Sequence, residues 1–188
     1  MTKVTLLGDS IRLLGYGTKL PEMLGENFTV YQPADNGRYA KYTLRGVMHD
    51  WKKDIEGSDI IHWNNGLWDI LDFGEGLFTP IDEYVAVMTR ITDILKKRAD
   101  KVIFATTTPI TERYPYAVLQ TVIDFNNALV PELKKRGIII NDLFSLVYPN
   151  MSTFIKDDNI HLTEAGIDAC AHQVKDIIIA TLDRDSQT

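Results

Sequence analysis

The sequence predicts a three-layer α/β/α sandwich built around one five-stranded parallel sheet. Three observations carry that prediction. Short runs of β-branched and apolar residues alternate with longer segments of helical period. The short runs lack the apolar/polar alternation of a half-solvated sheet, which suits strands covered on both faces. β and α segments in strict alternation, linked by right-handed crossovers, lay down a parallel sheet with helices on either side.

The strands are expected at Lys3–Leu7, Phe28–Tyr31, Ile60–Trp63, Val102–Ala105 and Ile138–Asn141. Helical stretches are expected at Ile11–Leu24, Tyr42–Ile55, Ile81–Arg98 and Val118–Arg136. A last helix over Thr163–Leu182 carries Ile167, Cys170, Ala171, Val174, Ile177 and Ile178 on one stripe. Gly137 follows the basic turn Lys134-Lys135-Arg136, the pattern of a helix C-terminus. The expected strand order is flavodoxin-like, 2-1-3-4-5. One domain is expected over residues 1–183, with residues 184–188 a frayed tail. Sheets of this kind bind ligands beyond the carboxyl ends of their strands, so function is sought in the residues that follow each strand.

Composition narrows the classes. The 188 residues are 45% hydrophobic and 24% charged, an ordinary balance for a globular chain long enough to bury a core. The net charge is -6 and no Lys/Arg block occurs, which argues against nucleic acid as a partner. Cys170 is the single cysteine, so neither an internal disulfide nor a cysteine-rich metal site can form. Its place on the apolar stripe makes it a core residue. No apolar run is long enough to span a membrane. Met1-Thr2-Lys3 leads straight into a strand with no signal-peptide pattern, and a cytoplasmic location is expected.

The residues after the strands carry the chemistry. Gly8-Asp9-Ser10 follows the first strand, and the glycine permits a tight strand-to-helix turn. Ser10 there is either a helix cap or a nucleophile beside backbone N–H groups that steady an oxyanion. A nucleophilic hydroxyl needs a base, and there are four histidines. His49 and His172 lie in helical stretches, and His62 lies inside a strand. His161 alone falls in a loop between the last strand and the last helix. Asp158, three residues earlier, can accept a hydrogen bond from its ring on one side of a turn. Asn64-Asn65-Gly66 follows the third strand, and Asp35-Asn36-Gly37 follows the second. Each can make a turn or offer donors toward the same rim.

These four blocks, in this order, resemble the SGNH/GDSL hydrolase family over nearly the whole chain. Gly8-Asp9-Ser10 matches the family's first block, and Asp158-Asn159-Ile160-His161 matches its Asp-x-x-His block. Gly37 stands where the family's second block supplies a glycine N–H. The third block usually reads Gly-x-Asn-Asp, whereas here it reads His62-Trp63-Asn64-Asn65. Its glycine and aspartate are absent and its asparagine is kept. The Gly-x-Ser-x-Gly elbow of α/β-hydrolases does not fit, since no glycine stands two residues after Ser10.

The resemblance implies a carboxylic ester hydrolase working through an acyl-enzyme, with Ser10 as nucleophile, His161 as base and Asp158 as its orienting acid. It implies an oxyanion hole from the N–H groups of Ser10 and Gly37 and the Asn64 side chain. Asp9, Asn65, Tyr39, Trp63 and Trp68 are expected near the substrate. That substrate is a small ester, such as an O-acetyl group on a carbohydrate, and no metal or organic cofactor is implied. Two rivals keep the fold: an acyltransferase with the same triad, and a catalytically silent carbohydrate-binding protein.

Overall fold

Leu6, Leu7, Ile60, Ile61, Trp63, Ile103 and Phe104 have no exposed surface, because the strands that carry them are covered on both faces. The computed structural model describes residues 1–185. Its strands are β1 (Thr2–Leu7), β2 (Phe28–Tyr31), β3 (Ser58–Trp63), β4 (Ala99–Ala105) and β5 (Ile139–Asn141). All pair in parallel in the order β2-β1-β3-β4-β5, the expected topology. The register sets Leu7 beside Trp63, Trp63 beside Phe104 and Ala105 beside Asn141, so four strands end along one rim. Thr5 and Ser58 share a buried hydroxyl–hydroxyl bond of 2.8 Å between β1 and β3.

Two segments expected as long helices are broken. Ile11–Leu24 divides into α1 (Ser10–Leu13), a 3-10 turn at Tyr16–Thr18 and α2 (Leu20–Leu24). A Cβ on Gly15 would stand 2.3 Å from the Ile11 carbonyl oxygen, so the chain folds back there more tightly than a continuing helix does. Tyr42–Ile55 divides into α3 (Ala40–Arg45), a π-turn over Gly46–Asp50 and α4 (Lys52–Ile55). The Trp51 N–H donates to the Gly46 carbonyl at 2.8 Å, and a Cβ on Gly46 would meet the indole at 2.4 Å. The extra residue in the turn lets the tryptophan pack over bare backbone.

The longer helices form as their periodicity requires. α5 (Ile81–Leu95) and α6 (Leu119–Lys135) bury stripes that include Met88, Ile91, Leu95, Val122, Phe125, Leu129 and Leu133. After β5 come α7 (Leu143–Val147), a 3-10 turn and α8 (Met151–Phe154), where the sequence predicts a loop. Asp142 caps α7 by accepting the Ser145 N–H at 3.1 Å. α9 (Glu164–Asp185) runs past the expected Leu182, and Thr163 accepts the Gly166 N–H at its start. Of the tail expected to fray, residues 186–188 lie outside the described residues. Cys170 is buried, and burial pushes its thiol up to about 12. No helix among the described residues is long and apolar enough to cross a membrane.

One buried carboxyl ties the rim together. Asp69 accepts the Ala40 N–H at 3.0 and 3.2 Å and the Thr79 hydroxyl at 2.9 Å. It thereby joins the start of α3 to the two ends of the excursion between β3 and α5. Burial pushes its carboxyl up to about 7, against the pull of those hydrogen bonds. Its ordinary value is 3.8, so the folded state favours the protonated form across that interval. The group's contribution is fully present below about pH 4 and is lost as pH rises to about 7, at no more than about 1.4 kcal/mol per pH unit. Asp69→Asn keeps an acceptor and removes the ionisation. Urea unfolding across that range should show the variant gaining on the parent until about pH 7 and then holding level. A constant difference would mean that Asp69 ionises as an ordinary carboxylate.

Candidate active site

Ser10 is the first residue of α1, and the cap is Asp9, whose Oδ1 accepts the Ile11 N–H at 2.9 Å. Ser10 is therefore not the cap that a serine at a helix start often is. Its own N–H lies in the first turn, where helix geometry offers no intrahelical acceptor. Ser10 is 8% exposed, and its hydroxyl reaches a residue near the far end of the chain. Ser10 Oγ lies 3.0 Å from His161 Nε2, and His161 Nδ1 lies 2.8 Å from Asp158 Oδ2.

The acid and the imidazole are set by a tight turn. An antiparallel bridge pairs Ile155 with Leu162, and the Lys156 N–H donates to the His161 carbonyl at 2.8 Å. Asn159 takes a φ of 69°, which asparagine tolerates better than most side chains. The turn aims the His161 and Ile160 N–H groups at Asp158 Oδ1, at 2.9 and 3.1 Å. Partial burial pushes the Asp158 carboxyl up, but hydrogen bonds from the His161 backbone and ring and the Ile160 N–H outweigh it and hold the group below its ordinary value. It stays ionised and fixes the ring.

Asn64 lies against the backbone of Gly8. Its Nδ2 donates to Asp9 Oδ1 at 2.8 Å, and its Oδ1 accepts the Tyr16 hydroxyl at 2.8 Å. A Cβ on Gly8 would stand 2.0 Å from Asn64 Oδ1. The glycine is needed so that this amide can lie flat on the strand end. One Nδ2 hydrogen remains after the bond to Asp9.

Gly37 corrects an expectation. Its N–H donates to the Gly8 carbonyl at 2.8 Å and so is already engaged, where the resemblance implied a donor for an oxyanion. A Cβ at this position would meet the same carbonyl oxygen at 2.7 Å. Close approach of two backbones accounts for the glycine.

Four residues expected near the substrate serve the scaffold. Trp63 is fully buried, edge-on to Phe104, with Nε1 donating to Asn65 Oδ1 at 2.8 Å. Asn65 is fully buried, and its Nδ2 donates to the Arg38 carbonyl. Asp9 is fully buried, and burial pushes its carboxyl up although Ile11, Asn64, Arg12 and His161 pull the other way. Tyr39 is half-buried against Tyr42 and Phe78. Trp63, Asn65 and Asp9, all fully buried, offer no free face for a sugar ring. Trp68 does, being 38% exposed on the wall of the cleft.

Arg12 was missed by sequence reading. It is fully buried, and its guanidinium donates to the carbonyls of Pro33, Asp35 and Gly8 at 2.8, 2.7 and 3.2 Å. It fastens the loop after β2 to the start of α1. An arginine two residues after Ser10 on a short helix was the only available signal.

Two cavities meet at Ser10, Leu14 and His161. One, about 180 Å³, runs past Gly15 and Lys156. The other, about 290 Å³, is walled by Leu67, Trp68, Leu71, Tyr114 and Ile160. A cavity of about 490 Å³ lies apart, between α6 and β5, and touches none of these groups.

Comparison with known proteins fits this picture. No family model matches the chain, and a search of curated proteins also found no match. Solved structures match over almost the full length. A lipase/acylhydrolase from Enterococcus faecalis is 17% identical at a TM-score of 0.77, covering 95% of each chain. An acetyl xylan esterase is 18% identical at 0.77, covering 94% of this chain and 99% of its own. A member of the lipolytic protein G-D-S-L family from Veillonella parvula is 15% identical at 0.76, covering 94% and 98%. The chain therefore has the fold of the SGNH/GDSL hydrolases, the family that its Gly8-Asp9-Ser10 and Asp158-x-x-His161 blocks resemble.

Proposed function

We propose that this chain is a serine hydrolase of carboxylic esters. The observation that carries the proposal is the line from Ser10 Oγ to His161 Nε2 to Asp158, at 3.0 and 2.8 Å. In this reading Ser10 Oγ attacks the ester carbonyl as His161 Nε2 takes its proton. Asp158, held ionised, steadies the imidazolium. The oxyanion accepts the Ser10 N–H and the second Nδ2 hydrogen of Asn64. Collapse breaks the bond to the alcohol, which leaves with the proton from His161. Water then gives a proton to the same nitrogen and attacks the acyl-enzyme; collapse breaks the bond to Ser10 Oγ, which takes that proton back from His161 as the acid leaves.

Hydrolysis rather than transfer to another alcohol is supported by the 32% exposure of the His161 side chain, which leaves it open to water. The intact hydrogen-bonded line argues against a silent binding protein. O-acetyl sugars draw support from the acetyl xylan esterases among the structural neighbours. The cleft itself supports an apolar acyl group. Leu14, Leu67, Leu71 and Ile160 wall the side next to Ser10, and Tyr116, 47% exposed, packs edge-on to the lining residue Tyr114. The cavity of about 290 Å³ there is far more room than an acetyl methyl fills.

Two measurements test this reading. Ser10→Ala should lower turnover of p-nitrophenyl butyrate by at least ~10³-fold and abolish labelling by a fluorophosphonate probe. A variant that keeps half the activity sinks the assignment. In a series from p-nitrophenyl acetate to octanoate, kcat/KM should climb by up to about fourfold per added methylene. A series that peaks at acetate, or faster Ser10-dependent release of acetate from acetylated xylan, would return the substrate to the O-acetyl sugars.

A further inference from the structure

His62 and Asn64 are two residues apart at the end of β3, and strand periodicity sets their side chains on one face, with Trp63 on the other. His62 stands where the resembled family has a glycine in its third block. It is fully buried between Tyr16 and Asn141, which are 0% and 1% exposed. No substrate could reach it. Its role has to be sought through its neighbours.

The hydrogen bonds around it run in one direction. Gln173 of α9 donates to Asn141 Oδ1 at 2.8 Å, so the other end of that amide, Nδ2, faces His62 Nε2 at 3.0 Å. An amide nitrogen can only donate, so Nε2 is the acceptor and the proton of the neutral ring sits on Nδ1. Burial keeps the ring neutral, pulling His62 down to about 3. Nδ1 lies 3.4 Å from the Tyr16 oxygen and donates to it. The Tyr16 hydroxyl then spends its own proton on Asn64 Oδ1 at 2.8 Å. At the far end Asn64 Nδ2 donates to Asp9 Oδ1 at 2.8 Å.

We infer that Tyr16 is a positioning residue for the oxyanion hole, the last link of a buried chain from Gln173 through Asn141 and His62 that locks the Asn64 amide in one orientation. The inference rests on the ester-hydrolase reading above. Turning the Asn64 amide over would set its NH₂ against a hydroxyl already polarised to donate and its oxygen against the Asp9 carboxyl. Both contacts would be lost, so the donor end stays turned toward the strand rim. Each donor in the chain polarises the next, which strengthens the hold on Oδ1. The oxyanion forms only as the carbonyl is attacked, so a fixed donor acts on turnover more than on substrate binding.

Tyr16→Phe removes one hydroxyl and keeps the ring edge-on to His62. On p-nitrophenyl butyrate it should lower kcat about tenfold with KM within twofold, against ~10²–10³-fold for Asn64→Ala. The double variant should be no slower than Asn64→Ala alone, because the hydroxyl acts only through that amide. Losses that multiply, or an unchanged kcat in Tyr16→Phe, would overturn the inference while leaving the nucleophile assignment intact. Activity that survives Ser10→Ala would overturn the ester-hydrolase reading itself. A readout free of any variant is the ¹⁵N spectrum of the parent protein. It should show His62 neutral with its proton on Nδ1, and a proton on Nε2 would refute the direction of the chain.

Discussion

The hydrogen bond from Ser10 to His161 joins residues 151 positions apart, and the rest of the site is arranged around it. Neither partner can move far without losing the other. Ser10 is fixed because α1 springs from the end of a buried strand, and His161 because a short bridge closes its turn back on Ile155. A parallel sheet makes such a meeting possible, since all its strands end on the same rim. The turn before α9 supplies the imidazole at that rim, and β1 supplies the hydroxyl.

Backbone crowding is the second constraint. Gly8 leaves room for the Asn64 amide, Gly37 for the Gly8 carbonyl, and Gly66 for the Thr107 hydroxyl, 2.1 Å from where its Cβ would lie. At Gly37 two backbones touch directly, and at Gly8 and Gly66 a polar side chain lies against bare backbone. Buried polar groups at such a junction must find partners or cost stability. Arg12 collects three loop carbonyls, Asp69 an amide and a hydroxyl, and Asn65 the Trp63 indole and the Arg38 carbonyl. The rim is a polar core held by hydrogen bonds, set on an apolar sheet held by packing.

That division explains which residues could be read in advance. Strands covered on both faces leave continuous apolar runs, so their positions and order were legible. The Asp158-x-x-His161 turn was legible because both partners lie within one short stretch. The broken helices were not, because the breaks come from Trp51 over Gly46 and from the fold-back at Gly15, contacts that periodicity does not encode. Arg12 escaped notice because a charged residue on a short helix ordinarily faces water. Gly37 misled because one residue type answers two demands, a free N–H and a close backbone.

By itself the sequence determined the strand order, the alternation of layers and the identities of a hydroxyl, an imidazole and a carboxyl that could act together. The strands and layers follow from local pattern, and the three site residues from the resemblance of the Gly8-Asp9-Ser10 and Asp158-x-x-His161 blocks to a known family. Only the tertiary structure decided that Asn65 and the Gly37 amide are already engaged and that Asn64 keeps a hydrogen to give. Only it turned Trp63 into the core and His62 toward Tyr16. A donor is free or engaged according to what lies within about 3 Å of it, and that neighbour is most often remote in the chain.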